Sequence, residues 1–115
     1  ARYPFEIWIA PYRRTSNIFE LSENEQKDLA KLMLDASKSL DKVFDDPMPY
    51  TLAWQLSPKG YENSYHFHVC FQPVRRSKTK LKYLAGVEQI TGFFLVDLPP
   101  ERSARILRGE ELPDE

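Results

Sequence analysis

The stretch "HFHVCF", residues 66–71, places three chemically active side chains at alternate positions. His66 and His68 are the two histidines of the chain, and Cys70 is its one cysteine. Side chains two residues apart on a strand project from the same face, about 6.5 to 7 Å apart along it. Imidazole and thiol groups held in this way can attack phosphorus, bind a metal, or form one polar face of a strand.

A nucleophilic site is the first interpretation. A histidine can attack a phosphorus atom and form a covalent nucleotidyl intermediate, which splits one displacement into two. His68 is the middle member of the trio and is therefore the predicted nucleophile. His66 and either Cys70 or Gln72 would fix the tautomer of its imidazole and hydrogen-bond the phosphate oxygens.

A metal site is the second interpretation, and an ordinary strand is the third. Histidine nitrogen and cysteine sulfur suit zinc or iron, with a further ligand from elsewhere. Gln55 would lie nearby if the second and third strands pair, but its amide is a poor ligand for those metals. In the third interpretation His66 and His68 only hydrogen-bond to water and neighbours. The residues alone leave all three open.

Four short strands and one long helix are predicted to hold these residues. Alternation of apolar and polar side chains predicts strands at 5–10, 50–56 and 65–72, and the apolar run "FFLVDL" predicts a buried strand at 93–98. The capping box "SENE" begins a predicted helix from about 23 to 45, and "PPERSARILRG" predicts a short terminal helix. The pattern favours an α+β fold, an antiparallel sheet with the long helix packed on one face.

Length and charge limit the class of protein. With 115 residues the chain is predicted to be one domain, 1–115. Sixteen basic and seventeen acidic residues nearly cancel, so charge gives no reason to expect a nucleic-acid partner. No apolar run approaches the roughly 20 residues of a membrane span. A single cysteine favours a reducing compartment, and the cytoplasm is the predicted location. The start at Ala1, without Met, suggests a piece of a longer protein.

Several segments together resemble one branch of the histidine-triad superfamily. "YHFHVCFQP" resembles the histidine-triad motif, with Cys70 at its last position. The flanking segments "PFEIWIAPYRR", "DDPMPYTLAWQLSP" and "KLKYLAGVEQITGFFLVDLPPERSARILR" are similar to the galactose-1-phosphate uridylyltransferases. The resemblance covers the chain from about Pro4 to Arg108. It implies a histidine-triad-like version of the predicted fold.

The resemblance implies the second, C-terminal half of a two-half enzyme of galactose metabolism. That enzyme transfers a uridylyl group between UDP-glucose and a hexose 1-phosphate through a uridylyl-histidine. The nucleophile belongs to the first half, in a His-Pro-His segment that this chain lacks, so no catalytic residue is expected here. His68 occupies the equivalent position, and the isolated 115 residues are expected to be inactive.

The resemblance also implies a metal, substrate contacts and a partner subunit. Some members hold zinc or iron in the second half, at positions that match Gln55, His68 and Cys70, and Gln55 departs from that ligand pattern. Lys82 and Glu88 match positions that bind the sugar phosphate in the partner subunit of a homodimer. The implied partners are therefore UDP-hexose, hexose 1-phosphate, the missing N-terminal half and a second copy.

Two alternatives stay open. The chain could be a free-standing histidine-triad nucleotide hydrolase or phosphorylase that uses His68, supported by His66. It could also be a non-catalytic assembly module whose histidine face is only structural.

Overall fold

An antiparallel three-stranded sheet and a long helix form the centre of the molecule, in a computed structural model that describes residues 2–114. The strands are β1 (Ile7–Ile9), β2 (Tyr50–Gln55) and β3 (His68–Pro73), in the order β1-β3-β2. The α-helices are α1 (Glu23–Val43), α2 (Gly86–Thr91) and α3 (Pro100–Leu107), and a 3-10 turn spans Ile18–Glu20. The predicted α+β class is confirmed. Across residues 2–114, no helix combines the length and apolar composition needed to cross a membrane.

Helix α1 begins at the predicted capping box. The Ser22 hydroxyl accepts from the Glu25 N–H at 3.2 Å, and the Glu25 carboxylate accepts from the Ser22 N–H at 2.9 Å. This reciprocal pair satisfies two of the donors that a helix start leaves without partners. Further along, Ala36, Leu40 and Val43 are buried. The second half of the helix therefore packs into the core, as expected for a helix packed on one face of the sheet.

The register of the central strand β3 divides the sheet into two chemically different faces. His68 lies opposite Gln55 of β2, and Cys70 lies opposite Trp8 of β1. These residues share one face, because side chains alternate along each strand. The other face carries the buried apolar residues of β3, Val69 and Phe71, which belong to the core cluster. The chemically active side chains are thus on the side away from the core.

Strand β3 begins at His68, three residues later than the predicted start at 65. The physical reason lies in the loop after β1. The Phe67 N–H donates to the Thr15 carbonyl at 2.7 Å, and the Ser57 N–H donates to the Ser16 carbonyl at 2.9 Å. Residues 15 and 16 therefore take the hydrogen bonds that strand partners would otherwise make. His66 lies before the strand and outside the ladder.

The fourth strand predicted at 93–98 is wrong, because no strand forms there and half of the segment is exposed. Phe93 is 75% exposed and Leu95 is 58% exposed. A strand needs a neighbour for its backbone polar groups. Here the backbone N–H and carbonyl of Leu95 bond instead to the side chains of Glu88 and Lys82. The apolar run is present in the sequence, but side chains supply the hydrogen bonds that a neighbouring strand would provide.

Candidate functional site

A cleft of about 580 Å³ opens over the polar face of the sheet. All three strands contribute to it, together with the N-terminal residues and the segment after α2. Its lining residues are Arg2, Glu6, Trp8, Gln55, His68, Cys70, Gln72 and Gly92–Phe94. The cleft thus brings together His68, Cys70 and Gln55, which the sequence analysis singled out. His66 is not among its lining residues.

The hydrogen bond of the His68 ring defines its tautomer. Nδ1 lies 3.0 Å from the backbone carbonyl oxygen of His66. A carbonyl can only accept, so Nδ1 carries the proton and donates it. Within residues 2–114 no hydrogen bond occupies Nε2, which is the lone-pair nitrogen of the neutral ring in this tautomer. The ring also stacks on the Trp8 indole, with 4.8 Å between centroids. His68 is therefore oriented, and Nε2 can act as a base, a nucleophile or a ligand.

His66 is placed apart from the cleft. Its Nε2 lies 2.8 Å from the carbonyl oxygen of Pro11, which makes Nε2 the protonated nitrogen of this ring. The imidazole of His66 was predicted to support His68. In the structure the contact between the two residues is made by the backbone carbonyl of His66. The side chain of His66 is tied to the loop after β1.

Cys70 is a buried thiol. Burial raises the pKa of its thiol, the negative charge of Glu6 raises it further, and a hydrogen bond with the Gln55 side chain acts in the opposite direction. A raised pKa keeps the sulfur protonated at neutral pH, and the thiolate is the form that binds metals or attacks electrophiles. As it stands, Cys70 is a neutral neighbour of His68.

Lys82 and Glu88 are not among the residues that line the cleft, and they pair with each other. The ammonium nitrogen is 3.1 Å from a carboxylate oxygen, and the side chains are only 9% and 2% exposed. The Glu88 carboxylate also accepts from the N–H groups of Ala85 at 2.8 Å and Leu95 at 3.0 Å. These two backbone hydrogen bonds, and to a smaller extent Lys82, lower the pKa of Glu88. The carboxylate is therefore ionised and bonded on both oxygens.

Sequence comparison decides the family. A profile of the galactose-1-phosphate uridyl transferase C-terminal domain matches residues 1–115. The chain belongs to this family.

Two galactose-1-phosphate uridylyltransferases illustrate the relationship. The chain is 38% identical to that of Thermotoga maritima over 115 residues, which cover 97% of this chain and 36% of the relative. It is 30% identical to that of Rattus norvegicus over 115 residues, which cover 94% of this chain and 30% of the relative. The chain therefore spans about a third of the length of the uridylyltransferases that it matches.

Solved structures give the same family relationship. A uridylyltransferase structure superposes with a TM-score of 0.86 at 32% identity, covering 96% of this chain and 35% of the other. An ADP-glucose phosphorylase from Arabidopsis thaliana, solved with ADP-glucose bound, superposes with a TM-score of 0.79 at 27% identity, covering 97% of this chain and 35% of the other. The predicted resemblance to uridylyltransferases is confirmed, and so is the histidine-triad-like fold.

The residues present do not fit the zinc or iron site that the uridylyltransferase resemblance implies. Among residues 2–114, no three histidine, cysteine or acidic side chains are grouped closely enough to hold a metal ion. Gln55 offers a weakly binding amide, and that amide is engaged with Cys70. The raised pKa of the Cys70 thiol adds to the cost of the deprotonation that metal binding requires. One good ligand, His68, is left.

Zinc is expected to leave the melting temperature of this uridylyltransferase domain unchanged within about 1 °C, because one imidazole holds zinc weakly. The double variant Gln55→His, Cys70→His would add two imidazoles beside His68. Position 55 lies directly across from it, with Cβ atoms about 5 Å apart, and position 70 is next on the same face. With zinc at about 100 times the dissociation constant, we expect roughly 2.7 kcal/mol and 10 °C of stabilisation.

Calorimetry with and without zinc checks this expectation, and Gln55→His alone serves as the matched control. If zinc raises the melting temperature of the native domain as much as that of the double variant, the native residues do hold the metal and the conclusion above is wrong.

Sequence reasoning missed the contributions of Trp8 and Glu6 to this face of the uridylyltransferase domain. The Trp8 indole N–H donates to Glu6 at 2.9 Å, while its ring stacks on His68. The signal was present in "FEIWIA", where Glu6 and Trp8 alternate with the apolar Ile7 and Ile9. Two residues that alternate with a core face lie on the polar face. Once β1 is placed beside β3, they line the cleft.

Proposed function

We propose that this chain acts as the C-terminal domain of a parent uridylyltransferase, which exchanges uridylyl groups between UDP-glucose and a hexose 1-phosphate. The observation that carries the proposal is the match of the whole chain to the family of C-terminal domains, at about a third of its relatives' length. The N-terminal two-thirds of the parent protein would supply the nucleophilic histidine. A reducing cytoplasm as the location is part of the proposal.

The proposed reaction consists of two displacements at one phosphorus atom. A histidine nitrogen in the N-terminal part attacks the α-phosphorus of UDP-glucose, forms a P–N bond and releases glucose 1-phosphate. The phosphate oxygen of the incoming hexose 1-phosphate then attacks the same phosphorus. The P–N bond breaks, the histidine is regenerated, and UDP-hexose leaves. Splitting the transfer in this way lets one nucleotide site serve both sugars.

The contribution proposed for this domain is a surface that completes the active site of a second copy. Lys82 and Glu88 belong to the segment that forms this surface and lie buried beneath it as an ion pair. Around them, the segment 83–95 exposes large apolar side chains to solvent, which is characteristic of an interface. They are Tyr83, Val87, Ile90, Phe93 and Leu95. In the homodimer that we propose, these side chains pack against the partner and bring the segment to the bound hexose phosphate.

The discriminating experiment assays the parent protein with two substrate pairs. Uridylyl exchange between UDP-glucose and galactose 1-phosphate is the expected activity. ADP-glucose with inorganic phosphate is the second pair, because a structural relative at 27% identity is an ADP-glucose phosphorylase. A truncated parent without residues 1–115 provides the control and should lose the exchange. Turnover of ADP-glucose with phosphate, but not of UDP-glucose with galactose 1-phosphate, would overturn the proposed substrates.

A further inference from the structure

The buried pair of Lys82 and Glu88 holds a backbone segment as well as pairing its own charges. Lys82 donates to the Leu95 carbonyl at 2.7 Å, and Glu88 accepts from the Leu95 N–H at 3.0 Å. Both backbone polar groups of one residue are thus bonded to the two members of one ion pair. A neighbouring strand would normally provide these two bonds.

Glu88 also fixes the path of the chain between Lys82 and Leu95. Its second oxygen accepts from the N–H of Ala85, the residue before α2, and so satisfies one of the free donors at the helix start. At the other end of α2, Gly92 adopts a left-handed conformation with φ of 75°. Glycine permits this at no steric cost, and the reversal returns the chain towards Glu88. One carboxylate therefore ties together residues 82, 85 and 95.

We propose that Lys82 and Glu88 are positioning residues, forming a clamp that holds the segment 82–95 in one conformation and directs its apolar side chains outward. Ile90, on α2 and 86% exposed, and Phe93, just after α2, lie between Lys82 and Leu95, the two residues that the clamp joins. A buried ion pair that loses one partner leaves an uncompensated charge, so the clamp depends on both residues. The role of the outward face as a subunit contact rests on the proposed function; the clamp itself does not.

The clamp is tested by amide hydrogen exchange at Leu95 in this chain, measured by NMR. In the variant Lys82→Met we expect exchange at Leu95 to accelerate at least 10-fold beyond any change at the amides of β3. Lys82→Arg keeps the cation and should restore most of the protection. Lys78→Met, at an exposed position of the preceding turn, removes one lysine charge and should change nothing. Unchanged exchange at Leu95 in Lys82→Met, or acceleration equal to that in β3, would overturn the clamp.

Glu88→Ala removes the carboxylate that accepts from two backbone N–H groups, as well as the charge, so we expect a larger acceleration than in Lys82→Met. If Glu88→Ala unfolds the chain, the comparison of Lys82→Met with Lys82→Arg still decides. In the parent protein, sedimentation of the same lysine variants measures the dimer dissociation constant. If Lys82→Met speeds exchange at Leu95 but leaves the dimer dissociation constant unchanged, the clamp is supported and the proposed subunit contact is overturned.

Discussion

Replacement of Phe67 by alanine is expected to lower the free energy of unfolding by about 3–5 kcal/mol. Phe67 is fully buried, stacks on Trp54 with centroids 6.3 Å apart, and belongs to the core between the sheet and α1. Truncation removes the transfer free energy of the ring and leaves a cavity that the neighbours fill incompletely. The loss is a large part of the roughly 5–15 kcal/mol that stabilises a domain of this size.

Urea denaturation followed by tryptophan fluorescence checks this expectation. Phe19→Ala is a matched control, since that ring is 88% exposed and its loss should change stability by less than about 0.5 kcal/mol. If Phe67→Ala does not fold, Phe67→Leu keeps most of the apolar volume and should give a measurable intermediate loss. Equal stability of the native and Phe67→Leu chains would contradict the packing described for this ring.

Turnover of UDP-glucose with galactose 1-phosphate by the isolated 115 residues is expected to be at least about 10³-fold slower than turnover by the parent protein. The physical reason is the loss of the nucleophile, which costs roughly 10³- to 10⁶-fold in other enzymes that use covalent catalysis. His68 keeps a free Nε2, but the cleft around it offers one cation, Arg2, to balance the charges of a diphosphate. A coupled assay of released glucose 1-phosphate measures both rates.

The variant His68→Ala provides the comparison for that second prediction. In the parent protein it should reduce turnover less than about 10-fold, as expected for a residue outside the reacting centre. If the isolated chain does turn over nucleotide, and His68→Ala abolishes that turnover, the result would instead support a free-standing nucleotide hydrolase or phosphorylase. Mass spectrometry of the chain after exposure to UDP-glucose then identifies or excludes a nucleotidyl adduct on His68.

Most of the sheet and the long helix could be predicted, because their signals are local. The Ser22–Glu25 capping box and the alternation in β1 and β2 depend on neighbours within a few residues. The start of β3 could not be predicted, since it depends on a hydrogen bond from Phe67 to Thr15, more than 50 positions earlier. The segment at 93–98 has the apolar pattern of a strand. Nothing local indicates that the side chains of Lys82 and Glu88 will replace its strand partner.

For the candidate site, the shared strand face of its residues could be predicted from local signals, but their contacts could not. Placing Gln55, His68 and Cys70 on one face required only the period of two and the pairing of β2 with β3, and the structure brings them together in one cleft. The environment of each residue could not be predicted in the same way. That Trp8 stacks on His68 depends on the order of the strands. The assignment of Lys82 and Glu88 to substrate binding stays a prediction, because no bound sugar phosphate tests it.

The hydrogen bond from His68 to the carbonyl of residue 66 has an evolutionary consequence. Every amino acid supplies a carbonyl, so the orientation of the His68 ring does not depend on which side chain stands at position 66. A lineage could exchange His66 for another residue and keep the same tautomer two positions later. The second histidine of "HFHVCF" therefore retains its orientation through the backbone, and the side chain of the first serves only its own contact with Pro11.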